Sequence, residues 1–548
     1  MADDKLQDDA VVKLALADQQ RLEGDRAPWE SQYRDIDERV NPTNEGGFET
    51  KSPGGRRGGG NFDVTAIESL DKFGAAMADI TVPRRTQYIR VRFGDKDLDK
   101  LPEVRRWCEA AGDRLYAIRY APHTGFGVAA SEDFRQLGTY GTAPLWTGVR
   151  KGIGLFYRAL HLSECYIDTD FTGMVDVVHR KFKRTARQCA QEFGADALTP
   201  KMRDAIKRDK SETEFELLHV VRPNRKLDEG ALDYRGKRIE SITIAIDEKI
   251  IMRRGGFRTM PISVSRHITS PGDKYGRSPA MKVLPTIMGV NQMQQTMLRS
   301  AHKMVDPALA FYDDDGISSL VTKPGGANPG LVDENGRLLV QPMPTGSNLP
   351  IGFEMVEGER VVIKTAFLED YFKLLTDESV QRSATAVLEI AAKQGVLVAP
   401  YAERYETEKQ NPVTQRDLDL AMEAEQIEPF PDVVMEAGAY PIIEYDNPLS
   451  RMARAGEAAG LTRWIEAMTP LAQVDPEVFD NIDVDAAGPG LADVLGVRPS
   501  WIATPEKRDA KRLARKEADQ AAAGVEQLGG IADAYKTIAQ GNQIAEAT

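Results

Sequence analysis

The stretch PAMKVLPTIMGVNQMQQTMLRSAHKM, residues 279–304, decides how this chain is read. Its apolar residues recur at helical spacing. Met281, Met288, Met293, Met297 and Met304 are five of the 17 methionines in the whole chain. Methionine is unbranched and polarizable, so such a stripe suits an adaptable interface as well as a core. Downstream, residues 305–355 carry TKPGGANPG and QPMPTGSNLP and little helical periodicity. A second helix is expected over about 357–375, with Ile363, Phe367, Tyr371 and Leu374 on one stripe. Two helices bracketing an irregular insert predict a projecting hairpin with a small domain at its tip.

Outward from this hairpin the pattern changes. The first 40 residues read as helix, with Val12, Leu16, Leu22, Trp29, Tyr33 and Ile36 along one stripe. The Gly- and Pro-dense run NPTNEGGFETKSPGGRRGGGNFD (41–63) reads as a surface loop, because no Lys-Ser/Thr closes it as a P-loop would require. A helix over 64–79 and a strand over 88–93 follow, then helix over 102–140 with a break near Pro122. Alternation at 160–168 and 174–182 around Asp168–Gly173 predicts a hairpin. Further strands are expected at 215–222, 241–246 and 249–253, with Gly255-Gly256 as a turn. The first half is therefore mixed α+β. Beyond the hairpin, TDESVQRS (376–383) reads as a polar loop, 384–427 as helix broken at Gly395 and Pro400, and 440–445 as a short strand. The Ala-rich remainder past 450 reads as mostly helical.

The chain has 548 residues and a net charge of −13, which excludes a chain-wide basic clamp on DNA. No apolar run approaches the ~18 residues of a membrane span, and the acidic N-terminus does not read as a signal peptide. Cys108, Cys165 and Cys189 are too few and too far apart for a disulfide framework or structural zinc. A reducing, intracellular site of synthesis is expected.

Catalytic patterns are missing one by one. No HExxH, GxSxG or Walker A sequence occurs, and no two of the six histidines lie within five residues of each other. Asp313, Asp314 and Asp315 offer hard oxygen ligands, but without EF-hand spacing they read as a solvated turn. Pro505-Glu506-Lys507 resembles the tail of a nuclease motif, yet it opens a helix instead of sitting on a strand. Two basic clusters remain. Arg180-Lys-Phe-Lys-Arg-Thr-Ala-Arg187 interleaves an aromatic with cations, as nucleic-acid binders do, and equally reads as a hairpin end entering a helix. Lys507, Arg508, Lys511, Arg512, Arg515 and Lys516 form one basic face of an amphipathic helix, suited to DNA phosphates, to acidic neighbours in an assembly, or to plain solvent.

The order of short features then becomes informative. Gly138-Thr-Tyr-Gly-Thr-Ala143, Tyr166-Ile-Asp-Thr-Asp-Phe-Thr-Gly173 with Val175-Asp176, and Arg180–Gln188 with Phe193-Gly194 come first. Tyr275-Gly-Arg-Ser278 leads into the Met-rich helix. Thr385-Ala386, Pro400-Tyr-Ala-Glu-Arg404 with Glu408, and Tyr445-Asp-Asn-Pro-Leu449 follow. In this order the chain resembles the head-to-tail connector (portal) proteins of short-tailed double-stranded DNA phages. It departs from their Tyr-x-Ser-Pro-Leu-Ala pattern at Asn447 and Ser450.

The resemblance implies a predominantly helical, multi-domain α+β portal fold that closes into a ring of about twelve subunits. Residues 1–277 would be the wing, 278–304 and 356–376 the stem helices, 305–355 the clip, 377–450 the tunnel loop and wing return, and 451–548 the crown. Thr376, Asp377, Glu378, Ser379, Gln381, Arg382 and Ser383 would border the DNA passage. Asp313, Asp314, Asp315 and Lys323 would meet partners at the clip. The partners implied are double-stranded DNA, the terminase, the capsid or scaffolding protein and the tail adaptor. The expected place is the virion's portal vertex, after synthesis in the bacterial cytoplasm. No cofactor, metal or enzymatic activity is expected. Two rival readings are a metal-dependent nucleic-acid enzyme using 313–315 and a non-viral helical scaffold that dimerises through the hairpin.

Overall fold

The computed structural model describes residues 2–42, 57–95, 101–150, 152–305, 349–369, 399–472, 482–494 and 507–518. To these it adds 47–48, 97–99, 309–311, 340–342, 502–503 and a few single positions. The described residues divide into two units, one holding everything up to 450 and the other everything after it.

In the first unit, helix α1 (Ala2–Arg39) runs unbroken through Pro28. Its expected stripe is used twice. Val12 and Ala15 pack on Leu218, Val220, Ile242 and Ile244 of a sheet, while Tyr33 and Ile36 enter the main core. Arg26, buried between these sites, donates to the carbonyls of Leu162, Ser163 and Cys165 at 2.9–3.0 Å and lies 3.7 Å over the Tyr166 ring. A buried guanidinium is tolerated only when its donors are used in this way. The expected surface loop is anchored at its described positions. Phe48 packs between Tyr33 and Tyr140, and Phe48 N–H donates to Asp37.

Helices α2 (Thr65–Thr81), α3 (Pro102–Arg119) and α4 (Phe126–Tyr140) fall where their periodicity places them, and Pro122 lies in the break between α3 and α4. Strand β1 (Ile89–Arg92) pairs antiparallel with β12 (Ile442–Tyr445), joining segments some 350 residues apart. A three-stranded sheet of β2 (Thr142–Arg150), β3 (Gly154–Ala159) and β9 (Ile262–Arg266), ordered β3-β2-β9, was not anticipated. The expected hairpin is β4 (Cys165–Thr169) and β5 (Val175–Thr185), preceded by a 3-10 turn at Leu162–Glu164 where strand was expected. With β6 (Glu214–Pro223), β7 (Ile239–Ala245) and β8 (Ile250–Phe257) they form a five-stranded meander.

One expectation is corrected here: Gly255-Gly256 is not a turn but part of β8, paired with Ser241 and Glu240. Glycine is needed at 256 because a Cβ would fall 2.7 Å from Lys237 Cβ. Short helices α5 (Ala186–Phe193) and α6 (Pro200–Lys207) close a small core of Phe182, Cys189, Leu198, Met202 and Leu217 on one sheet face. A capping box between Thr185 and Gln188 starts α5, so the basic run 180–187 does end a strand and open a helix.

The hairpin helices are α7 (Pro279–Val305) and α8 (Leu349–Ala366), the latter starting eight residues before the periodicity suggested. Between them β10 (Leu309–Phe311) pairs antiparallel with β11 (Val340–Pro342), so the segment read as irregular returns on itself as a ladder. Residues 399–423 form a continuous helix, called α9, that includes Pro400, so the expected break at Pro400 falls at the edge of the described residues. The stretch read as helix over 384–398 lies outside the described residues. The second unit contains helix to Ala472, a helix Val484–Val494 and a helix over 507–518.

Candidate functional site

The hairpin arm is rooted in the core at several levels. Ser278 caps α7, its hydroxyl accepting from Met281 N–H at 3.0 Å. Met281, Val283, Leu284, Ile287 and Val290 are buried. Immediately before α7, Gly276 N–H donates to Thr142 Oγ1, and Gly141, the left-handed cap of α4, presses on the backbone of Gly276–Ser278. A Cβ on Gly141 would fall 2.5–2.6 Å from three backbone atoms there. Asn291 on α7 accepts from Phe62 N–H and donates to the Gly60 carbonyl. Arg360 on α8 holds Asp63 with two bonds of 2.8 and 2.6 Å. Glu369, just past α8, binds Lys72 and Ser69 on α2.

Helix α8 carries two apolar stripes. Val356, Ile363 and Phe367 are buried inward, as expected for the latter two. Ile351, Met355 and Val362 line a second stripe at helical spacing with Gly358 and are 53%, 57% and 49% exposed. On α7, Met293 and Met297 pack inward while Leu298, Met304 and Val305 are exposed. Of the five methionines, Met281 is buried at the root, Met293 and Met297 are partly buried, and Met288 and Met304 are exposed. Soluble monomers rarely leave such a patch bare.

Helix α9 is held by three buried ion pairs. Glu408 binds Arg266 at 2.7 Å and also accepts the Arg266 backbone N–H. Lys409 Nζ donates to Asp133 (2.8 Å) and to the carbonyls of Ala143 (2.7 Å) and Ser263 (2.9 Å), which uses all three ammonium protons. Arg119 reaches Asp417 with two bonds and Thr414 with a third. Burial pushes the Lys409 pKa down and those of Asp133 and Asp417 up, as expected for charges taken out of water. The turn Glu406–Gln410 is π-helical and is followed by Pro412, whose ring would crowd the carbonyl four residues back in a regular helix. Tyr401 stacks on His267 at 4.5 Å, and Arg404 bonds Thr269. The described residues on both sides of 370–398 are therefore fixed to the core.

Of the residues singled out in the sequence, Thr376–Ser383 and Asp313, Asp314, Asp315 and Lys323 lie outside the described residues. Lys507, Arg508, Lys511, Arg512, Arg515 and Lys516 do sit on a helix. Arg508 and Arg512 bind Asp485, at 3.4 and 2.5 Å, while Lys511, Arg515 and Lys516 are exposed. Among the described residues no cluster of His, Cys, Asp and Glu could hold a metal ion, and no helix is long and apolar enough to cross a membrane. Sequence reasoning missed Asn291, Arg360, Lys409 and Asp133. Apart from the Arg360–Glu357 pair, their partners lie 146 to 297 residues away, and no local pattern marks them.

With this geometry in place, comparison with known proteins is direct. The family described as bacteriophage head to tail connecting protein matches residues 13–502, and the chain belongs to that family. Among its relatives, the probable portal protein of Bordetella phage BPP-1 is 26% identical over 523 residues, spanning 93% of this chain and 92% of the relative. The portal protein of Salmonella phage epsilon15 is 24% identical over 535 residues, spanning 95% and 94%. Of solved structures, the neck of an empty gene transfer agent particle aligns with 74% of this chain and 86% of its own at 12% identity and a TM-score of 0.37.

Proposed function

We propose that this chain is the subunit of a phage portal, a ring at one capsid vertex through which double-stranded DNA enters and leaves. Family membership and two near-full-length portal relatives support the role. The observation in the molecule that carries the ring is the second apolar stripe of α8. Ile351, Met355 and Val362 face away from their own core, and Gly358 leaves room for a close neighbour, with nothing within 4 Å of its Cβ position. Burying such side chains is worth roughly 1.5–3 kcal/mol each. A face that meets a different face of the next copy closes into a ring when the rotation between copies closes, and otherwise gives an open filament.

On this reading α7 and α8 are the stem, and the wing comprises the sheets and helices up to Arg277 with the return to 450. The clip narrows to 306–348, because both stem helices extend further than their periodicity suggested. The tunnel loop is Thr376–Ser383 and the crown 451–548. Terminase, and later the tail adaptor, would dock at the clip through Asp313, Asp314, Asp315 and Lys323. About twelve subunits would line the passage. A net charge of −13 suits a conduit in which DNA must slide, since each neutralised phosphate tightens binding. The matching family is a connector and not a catalytic one.

The test is the native mass of the purified chain with negative-stain images, for the wild type and for Met355→Lys/Val362→Lys. Wild type should give closed rings with a central hole. The variant should give a folded subunit that no longer closes. A stable dimer with no ring at any concentration would overturn the proposal.

A further inference from the structure

Two surfaces at opposite ends of strand β2 carry opposite charge around apolar centres. The first is the β4–β5 turn. Its Asp170 carboxylate accepts from Thr172 N–H (2.8 Å), the Thr172 hydroxyl (2.6 Å) and Met174 N–H (3.0 Å), all on Oδ1. Arg266 Nη2 donates to the Gly173 carbonyl at 2.6 Å. The turn so fixed holds Phe171 entirely in solvent. The β6–β7 connection, a loop of mixed charge, leaves the sheet at the same end, because Val221 stands opposite Val178, and its Leu232 is also fully exposed. Scattered exposed apolar residues are ordinary, whereas a phenylalanine held rigidly in water at the end of a sheet is placed for a partner.

The second surface is one face of the β2–β3 hairpin. Trp146, Gly148 and Arg150 stand directly opposite Arg158, Phe156 and Gly154 and share that face with them. Gly148 is the gap in which the two rings meet, since a Cβ there would fall 2.5 Å from Trp146 Nε1 and 2.8 Å from the Phe156 ring. Both rings are half-buried, and Arg150 and Arg158 beside them are exposed.

Neither surface finds its counterions at home. Residues 146–158 hold three cations and no carboxylate, while 168–176 hold three aspartates and no cation. Arg150 and Arg158 have no carboxylate within 4 Å among the described residues. Asp168 is taken by Arg21 and Lys274, which leaves Asp170 and Asp176 with no cation within 4 Å among the described residues. Partial burial, then the Arg180 and Arg184 cations, lowers the Arg158 pKa; partial burial, then the Asp170 carboxylate, raises that of Asp176. One copy cannot join the two surfaces by itself. Arg266, which holds the β4–β5 turn, is paired with Thr142 at the start of β2. Arg150 lies roughly 26 Å further along that strand.

We propose that the β4–β5 turn of one copy docks on the β2–β3 hairpin of the next, Phe171 against the Trp146 and Phe156 rings, and Asp170 and Asp176 against Arg150 and Arg158. Aromatic and arginine side chains carry most of the energy of protein interfaces, and opposite charges around them fix the register. Asp170 can take part without giving up its turn, because Oδ2 has no partner among the described residues. A contact between unlike surfaces can repeat from copy to copy, as a ring needs. The inference rests on the portal reading for its partner, a second copy of this chain, and adds which faces of the first unit meet.

The experiment is site-directed cross-linking between copies of the full chain. Cys108, Cys165 and Cys189 are buried, so a single engineered cysteine reports alone. Thr172→Cys and Ile153→Cys, both at exposed positions, are placed in two differently tagged chains, co-expressed and treated with a short bismaleimide. Negative-stain images of the same samples record rings. A cross-link joining the two tags is expected, and neither variant expressed alone should cross-link. Adding Phe171→Ser to the first chain, or Arg150→Glu/Arg158→Glu to the second, should lower the yield about tenfold with no change in thermal melt. Asp176→Lys in the first chain should recover part of the loss caused by Arg150→Glu/Arg158→Glu. Rings without the mixed cross-link would overturn this contact and leave the portal reading standing. Absence of both would overturn the two together, and the mixed cross-link without rings would support the contact alone. Cross-links between two Thr172→Cys copies, or an undiminished yield with Phe171→Ser, would also overturn the proposal.

Discussion

Lowering the pH from about 7.5 to about 5.5 should destabilise the first unit steeply, because four of its histidines are buried in the neutral form. Burial is the main cause in each case. It brings His161, His179 and His267 down to about 4 and His219 to about 3, from an ordinary 6.5. His161 sits against Tyr140 and Ser163, His179 against Gln19 and His219 against Ser241. The His267 Nδ1 has no partner among the described residues. The unfolded chain takes up these protons as pH falls through about 6.5, while the native protein refuses them until about 4. The stability they confer is therefore complete above about 6.5 and is lost across the window between the two values. By pH 5.5 the loss is about 1.3 kcal/mol per ring, about 5 kcal/mol for the four. That is a large part of the 5–15 kcal/mol by which folded domains typically exceed their unfolded states. Asp133 and Asp417, whose pKa values burial raises, act in the opposite sense, so the histidines are isolated by replacement. Urea unfolding followed through Trp29, Trp107 and Trp146 should show a lower midpoint at pH 5.5 than at 7.5. His219→Gln should recover about 1.3 kcal/mol of the difference. Equal midpoints at the two pH values would refute the reasoning.

Asp133→Ala should cost about 3–5 kcal/mol by leaving the Lys409 ammonium buried without its counterion. The double variant with Lys409→Met should cost well under the sum of the singles, and a double-mutant cycle with coupling below about 1 kcal/mol would contradict the buried pair. Gly141→Ala puts a methyl against the backbone that leads into α7, at a positive φ of 73°, so soluble yield and melting temperature should fall sharply. Replacing 306–348 by a short Gly-Ser link should leave a ring-forming body, since β10 and β11 already bring the ends of the insert side by side. Loss of rings in electron micrographs would show that the insert takes part in closure.

What the sequence showed depended on how local each signal was. The arm was legible because α7 and α8 carry their own periodicity, and the β4–β5 hairpin because its Asp-Thr-Gly turn is contiguous. The extent of α8 was not, because its first turns carry the outward stripe Ile351–Met355, which repeats out of phase with the inward Val356 and Ile363. The three-stranded sheet was hidden for a different reason. Thr142-Ala-Pro-Leu-Trp-Thr-Gly contains Pro144 and Gly148, which ordinarily argue against strand, and its partner β9 lies about 120 residues downstream. Nothing near Lys409 announces a buried ammonium, because Asp133, Ala143 and Ser263 meet it only in the folded chain. Of the expected site residues, only the basic helix over 507–518 falls on described positions. There the sequence correctly placed the cations on a helix, and it had no means of showing that Asp485 takes two of them.

The pairing of β1 with β12 imposes a timetable. At about 5–20 residues per second, a ribosome that has released Ile89–Arg92 needs roughly 20–70 seconds more to deliver Ile442–Tyr445. Throughout that interval β1 keeps an open edge, and the helix over 399–423 has yet to supply the countercharges for Arg266, Asp133 and Arg119. A nascent chain thus lacks its final clasp until nearly the whole first unit has been made. The unfinished edge is an invitation to wrong partners, so a truncated product ending before residue 442 should be a poor neighbour in any assembly.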